Sequence, residues 1–318
     1  MKYYIGIDLG GTGIKAGLVD EKGAILHKLS CPTLPERGHE AAVHDMAQLC
    51  IRLIKENGYS EDDVHSIGVG IPGIWDPEKR LVPFCTNLGW HNVPLTELMQ
   101  KEINKPVFVA NDASVAGLAE SVAGVSAGTK NSVFITLGTG VGGGVILNGK
   151  VFIGSHGVGT EIGHMITVAG GEECTCDNRG CWERYTSATA IIREGRKFAS
   201  AHPESALYQK VGGDLDKIEA RTVIDLAKEN DPDCMALFEN YVYHLCVGLA
   251  TLVNVYDPEV IAIGGGVSHA GEFLLNKINE MLPRMIFCKN MPYARIELAR
   301  MGNDAGIIGA AMLGTQED

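Results

Sequence analysis

The sequence predicts an α/β protein of two domains with an interdomain cleft, and three observations carry that expectation. At 318 residues and 34.0 kDa the chain exceeds what one hydrophobic core usually supports, so two domains are expected. Two glycine-rich stretches, D-L-G-G-T-G-I at 8–14 and T-L-G-T-G-V-G at 136–142, align on their leucine and first glycine, which reads as an internal duplication. Each of them joins two strand-like segments, whereas a dinucleotide fingerprint or a phosphate-binding P-loop needs a helix after its glycines. Taken singly, either turn reads equally as an ordinary hairpin. As a pair they would bring two glycine hairpins face to face across a cleft, a natural nucleotide site.

The elements follow in order. Residues 3–8 alternate and favour strand, Gly10-Gly11-Thr12-Gly13 turns the chain into a second strand at 14–19, and Asp20-Glu21-Lys22-Gly23 turns it into a third at 24–30. A proline-containing loop leads to a helix whose Val43, Met46, Leu49, Cys50, Leu53 and Ile54 share one face. A strand at 64–70, a short amphipathic helix at 95–103 and a buried strand at 107–110 bring the chain to Asn111 and Asp112, and a helix follows at 113–122. The pattern then restarts with strands at 132–137, 142–147 and 150–153, divided by Gly138-Thr139-Gly140 and by the hairpin signal Asn148-Gly149. Helices are expected at 186–199, 219–230 and 233–256, the last apolar on more than one face, as suits a domain core or a subunit contact. A buried strand at 260–263 runs into Gly264-Gly265-Gly266, where backbone without Cβ atoms can approach a ligand. A helix at 272–281, a strand at 295–299 and a helix at 304–313 rich in small residues complete the chain. The expected domains are 1–115 plus 301–318, the smaller, and 116–300, the larger, with a cysteine-rich knuckle at 161–183.

Composition narrows the partners. With 27 Lys+Arg against 39 Asp+Glu the net charge is -12, which repels phosphate backbones and anionic membranes, so no nucleic-acid or membrane partner is expected and an anionic nucleotide must be held locally. Asp8 interrupts any apolar leader and no segment approaches an uninterrupted membrane-spanning length, so a cytoplasmic protein is expected. Cys31, Cys50, Cys85, Cys234, Cys246 and Cys288 are scattered and read as small buried residues.

The other three cysteines are different. Cys174, Cys176 and Cys181, with His164 upstream, supply the thiolates and imidazole of a closed tetrahedral zinc site at H-x9-C-x-C-x4-C spacing. A disulfide plus a spare thiol is the other reading, disfavoured in a reducing compartment, and His164 alone would more often be a satisfied core histidine, its place in the spacing favouring ligation. A zinc-bound imidazole keeps its second ring nitrogen, so His164 could serve metal and ligand together. Glu161 and Glu183 bracket the cluster, and paired carboxylates beside an oriented imidazole suit a polyhydroxylated small molecule, although Glu183 could equally be a solvated residue entering a helix.

Asp8, at the end of the first strand, is placed to hold magnesium through water, with Lys15 one strand away. Asp112 is the candidate base: it is either an N-cap or a carboxylate that takes the proton of a substrate hydroxyl attacking a γ-phosphate. I-G-I-D-L-G-G-T-G-I-K-A-G at 5–17, N-D-A at 111–113, T-L-G-T-G-V-G-G-G at 136–144, E-I-G-H at 161–164 and C-T-C-D-N-R-G-C-W-E at 174–183 together resemble the ROK family of sugar kinases and repressors over essentially the whole chain. The resemblance implies an actin-like ATPase fold, that is, a duplicated ribonuclease H-like fold, with ATP and magnesium as cofactors beside a structural zinc on His164, Cys174, Cys176 and Cys181. It makes Asp112 the base and places Asn87, Asn111, Glu161, His164 and Glu183 on sugar hydroxyls. Nucleotide contacts are then expected at Asp8, Gly10, Gly11, Thr12, Lys15, Gly138, Thr139, Gly140, Gly264, Gly265 and Gly266. Homo-oligomers, dimers or tetramers, are also implied. Asp177 departs from the glycine usual after the second cysteine, and aspartate tolerates left-handed backbone better than most residues.

T-N-L-G-W at 86–90 and G-I-P-G at 70–73, which brings in Gly73, are similar to the glucokinase members, and this implies phosphorylation of glucose at its 6-hydroxyl. N-acetylmannosamine or another hexose is the alternative within the family. A sugar-sensing repressor is the alternative outside catalysis, and it would be expected to carry a helix-turn-helix domain before the first glycine motif, where Tyr3 already begins a strand. An actin-like chaperone or filament ATPase would share the fold without a reason for the knuckle.

Overall fold

A computed structural model describes residues 2–316. The first half runs β1 (Tyr3–Leu9), β2 (Gly13–Asp20), β3 (Ile25–Pro32), α1 (Gly38–Glu56), β4 (Val64–Ile71), β5 (Val82–Cys85), β6 (Trp90–Val93), α2 (Leu95–Glu102), β7 (Val107–Asn111) and α3 (Asp112–Ala123). The second runs β8 (Ser132–Leu137), β9 (Val141–Leu147), β10 (Lys150–Phe152), α4 (Glu183–Thr186), α5 (Ala188–Ala201), α6 (Ala206–Lys210), α7 (Ala220–Lys228), α8 (Pro232–Tyr256), β11 (Val260–Gly264), α9 (Glu272–Met281), β12 (Arg295–Leu298) and α10 (Ala305–Met312).

The duplication read from the glycine turns is visible in the sheets. One five-stranded sheet has the order β3-β2-β1-β4-β7 and the other β10-β9-β8-β11-β12, so each places a three-strand meander beside two later strands in the same sequence of positions. Within the first, β1 pairs antiparallel with β2 and parallel with β4, the mixed pattern of a ribonuclease H-like sheet. A β5-β6 hairpin lies apart, and no expectation had been raised for it. The expected helix at 186–199 begins earlier and is broken in two. Ser187 is extended, and its hydroxyl accepts the Ala190 N–H as the N-cap of α5, so α4 stops one residue before it.

The chain divides into two compact units, one of Met1–Phe134, Gly144–Thr160 and Arg300–Asp318, the other of Ile135–Gly143 and Glu161–Ala299. In the first, α10 packs on β1, β4 and α3 because glycines remove the side chains in its way. A Cβ on Gly6 or on Gly68 would overlap the carbonyl oxygen of Ile307 or Ala310. Glu120 of α3 is 1% exposed, and its carboxylate accepts from Val125 N at 2.9 Å and from Arg300 N and Met301 N, both at 2.8 Å. It thereby satisfies the backbone of the segment that leads into α10.

In the second unit α8 is the core helix. Trp182 is fully buried against it, its indole N–H donating to His244 O at 2.9 Å, and a Cβ on Gly248 would strike the indole ring. The expectation that no segment approaches a membrane-spanning length is corrected here: α8 is long and apolar enough to cross a bilayer. Of its apolar window 56% is buried, however, as in the core helix of a globular unit.

Candidate functional site

In the first unit the expected ligand residues gather around the ends of β1, β4 and β7. Asp8 and Lys15 face each other across β1 and β2, Nζ lying 3.2 Å from Oδ2. A Cβ on Gly306, at the start of α10, would sit 2.7 Å from Asp8 Cγ, so α10 backs the carboxylate closely. The turn at Gly10–Gly13 closes through Gly10 N to Gly13 O at 2.9 Å, and Thr33 clamps it by donating its hydroxyl to Gly10 O at 2.6 Å. A Cβ on Gly11 would lie 3.8 Å from that of Asn87, which brings the glycine turn beside the expected sugar contact.

β7 ends at Asn111, and the capping role held open for Asp112 falls to its neighbour. Asn111 Oδ1 accepts from Ala113 N at 2.9 Å and Ser114 N at 3.4 Å, while its amide donates to Gly73 O at 3.3 Å. Asp112 is the first residue of α3, with Oδ1 accepting from Ala113 N at 2.8 Å. Gly73 is held tightly, since a Cβ there would lie 2.8 Å from Phe84 O.

In the second unit three expected groups meet at the ends of β8 and β11, neighbours in the sheet. The turn at 138–140 closes through Gly138 N to Gly140 O at 3.0 Å. Gly265 adopts φ 84° and passes so close to Leu137 that a Cβ would lie 2.6 Å from its backbone, a position for glycine alone. Ser268 donates to Gly265 O at 2.7 Å. Glu183, the first residue of α4, reaches the turn: its Oε2 accepts from Val141 N at 2.9 Å. From α5, Ala188 N donates to Gly138 O and Thr189 Oγ1 to Thr139 O, both at 2.8 Å.

His164, Cys174, Cys176 and Cys181 converge, their ligand atoms all within 4.8 Å of one another. His164 Nδ1 lies 3.6 Å from Cys174 Sγ, and Cys176 Sγ lies 3.6 Å from Cys181 Sγ. A tetrahedron with metal–sulfur bonds of about 2.3 Å has edges of about 3.8 Å, so four thiol and imidazole donors at these separations fit zinc. The Asn178 backbone N–H holds the Cys176 thiol down to about 7, while burial pushes that of Cys181 up to about 12. Asp177 takes the left-handed conformation expected of it, φ 67°. Nδ1 is the His164 nitrogen in the cluster, which leaves Nε2 for another contact. Glu161 immediately precedes the short turn Ile162–His164 that carries this histidine.

Sequence reasoning missed Thr33, Thr189, Glu120 and Gly306. All four act through backbone groups or packing distant in the chain, and a lone threonine carries no spacing signal; only the small-residue run of α10, which includes Gly306, hinted at close packing.

The ROK family profile matches residues 4–317. A glucokinase from Halalkalibacterium halodurans is 35% identical over 100% of this chain and 96% of its own length. One from Thermotoga maritima is 36% identical over 97% of this chain and 96% of its own. Among solved structures, a ROK family glucokinase from Streptomyces griseus in complex with glucose and AMPPNP superposes with a TM-score of 0.79 at 35% identity, covering 99% of both chains.

Proposed function

The chain belongs to the ROK family, and on that premise we propose that it is an ATP-dependent glucokinase that transfers the γ-phosphoryl group to the 6-hydroxyl of glucose. One observation carries the reading: the similarity to glucokinases runs the full length of the chain and of its relatives, at 35–36% identity.

Asp112 accepts the proton of the 6-hydroxyl as that oxygen bonds to the γ-phosphorus, and the bond from phosphorus to the β,γ-bridging oxygen breaks, giving glucose 6-phosphate and ADP. Positioning and charge stabilisation supply most of the rate, and the base adds about 10²–10⁴-fold. The place of Asp112 at the start of α3, fixed by the Asn111 cap, supports this role. Gly73, Asn87, Asn111, Glu161, His164 and Glu183 hold the sugar, and the two glycine turns with Gly264, Gly265 and Gly266 hold the nucleotide. Asp8 would hold magnesium through water, and the ion would neutralise phosphate charge. Zinc on His164, Cys174, Cys176 and Cys181 would fix the knuckle and the orientation of His164.

The oligomer we propose uses the exposed side of α8, where Tyr243 and Val255 are 50% and 67% exposed. The proposed location is the cytoplasm, where three close thiols stay reduced for metal.

The test is Asp112→Asn, which keeps a hydrogen-bond acceptor but no base. Turnover should fall at least about 10²-fold while glucose binding persists. Turnover within tenfold of the parent would reject the role.

A further inference from the structure

Three hydroxyls make the same contact at three separate glycine turns. Thr33 Oγ1 donates to Gly10 O at 2.6 Å, Thr189 Oγ1 to Thr139 O at 2.8 Å and Ser268 Oγ to Gly265 O at 2.7 Å. In each case the residue after the bonded carbonyl is a glycine, Gly11, Gly140 or Gly266. None of these glycines is buried, and their backbone N–H groups have no partner among the described residues. The donors come from unrelated places: the loop after β3, the first turn of α5 and the short turn Gly266–Ala270.

A peptide unit is planar and trans, so its C=O and the following N–H point in opposite directions. A hydroxyl that holds the carbonyl of Gly10, Thr139 or Gly265 towards the protein therefore aims the N–H of Gly11, Gly140 or Gly266 away from it. The negative end of the same dipole is turned from any ligand. This matters in a chain of net charge -12, in which Lys15, two residues beyond the first turn, already lies 3.2 Å from Asp8. Oriented backbone donors then carry the attraction for an anion.

We infer that Thr33, Thr189 and Ser268 are positioning residues for the nucleotide phosphates, each aiming one glycine N–H at an anion by holding the carbonyl before it. The inference rests on the reading of the three turns as nucleotide contacts. Thr33 is only 1% exposed, so its hydroxyl acts through the Gly10 carbonyl and not on a ligand directly. Because an N–H donor selects for negative charge, the effect belongs to the phosphates and not to the nucleoside.

The experiment is calorimetric titration of AMPPNP with magnesium into the full chain, with adenosine affinity measured by its displacement of AMPPNP. The variants are Thr33→Val, Thr189→Val and Ser268→Ala, with Thr33→Ser and Thr189→Ser as conservative replacements. Each hydroxyl-free variant should bind AMPPNP about three- to tenfold more weakly, the range of one hydrogen bond. Adenosine, which carries no phosphate, should stay within about twofold of the parent, and so should AMPPNP in the serine variants. A hydroxyl that served the fold alone would lower thermal stability without separating AMPPNP from adenosine. AMPPNP affinity within about twofold of the parent in any folded hydroxyl-free variant overturns the inference. An equal loss for adenosine, or a serine variant as weak as its valine counterpart, overturns it too. Folding is judged by circular dichroism, and the independent turns keep the test decisive if one variant fails to fold. A parent that binds no AMPPNP instead rejects the functional reading beneath it.

Discussion

Replacing Glu120 with alanine should destabilise the protein more than any surface change, and the structure sets the scale. The carboxylate accepts three backbone N–H groups, from Val125, Arg300 and Met301, in a place where the side chain is 1% exposed. An orphaned buried donor costs about 1–3 kcal/mol, so three give about 3 kcal/mol at the low end, where water entering the vacated space offsets part of the loss. With about 2 °C per kcal/mol for a chain of this size, the apparent midpoint should drop by about 6 °C or more. Glu120→Gln keeps one carbonyl oxygen for two of the amides but turns an NH2 towards the third or leaves it bare, so its loss should be smaller. Differential scanning calorimetry of parent and both variants checks the order. A Glu120→Ala midpoint within about 1 °C of the parent, or a glutamine variant worse than alanine, would refute the claim that the carboxylate satisfies this backbone.

The purified protein should carry about one zinc per chain by elemental analysis, and Cys181→Ser should lower that content and raise the KM for glucose through His164 and Glu183. Active enzyme without zinc would reject the assignment. Burial lowers the pKa of His244, which stacks on Tyr185 with centroids 4.7 Å apart, so the folded state binds its proton later than the unfolded state as pH falls. The stability from keeping His244 neutral is full above the unfolded value near 6.5 and is lost as pH falls through the lower folded value. His244→Gln should therefore lose less thermal midpoint than the parent between about pH 7 and pH 5.5, and equal losses would refute this.

Much of the molecule was legible because its signals are local. The strand meander shows in alternation at 3–8 and in the turn residues that follow, and the knuckle shows in the spacing of His164, Cys174, Cys176 and Cys181, which the fold brings within 4.8 Å. The repeated glycine turn predicts a duplicated strand-turn-strand unit, and the two sheets of matching strand order contain it. What stayed hidden depends on long-range contact. The β5-β6 hairpin has strands of only four residues, too short for a period to register. The break at Ser187 is one N-cap inside an otherwise helical run. On paper the cap fell to Asp112, and only the path of β7 into α3 decides that Asn111 does the capping. Thr33 and Thr189 matter through single bonds to carbonyls on remote turns.

The central claim, that the chain phosphorylates glucose at the expense of ATP, is tested most directly by kcat/KM measured side by side for glucose, mannose, fructose, N-acetylglucosamine and N-acetylmannosamine with MgATP. Buried acceptors left unpaired by the wrong hydroxyl pattern discriminate strongly, so glucose should lead the set and the product should be the 6-phosphate. A higher value for any other sugar contradicts the substrate assignment, and ATP turnover that no sugar stimulates contradicts the kinase itself.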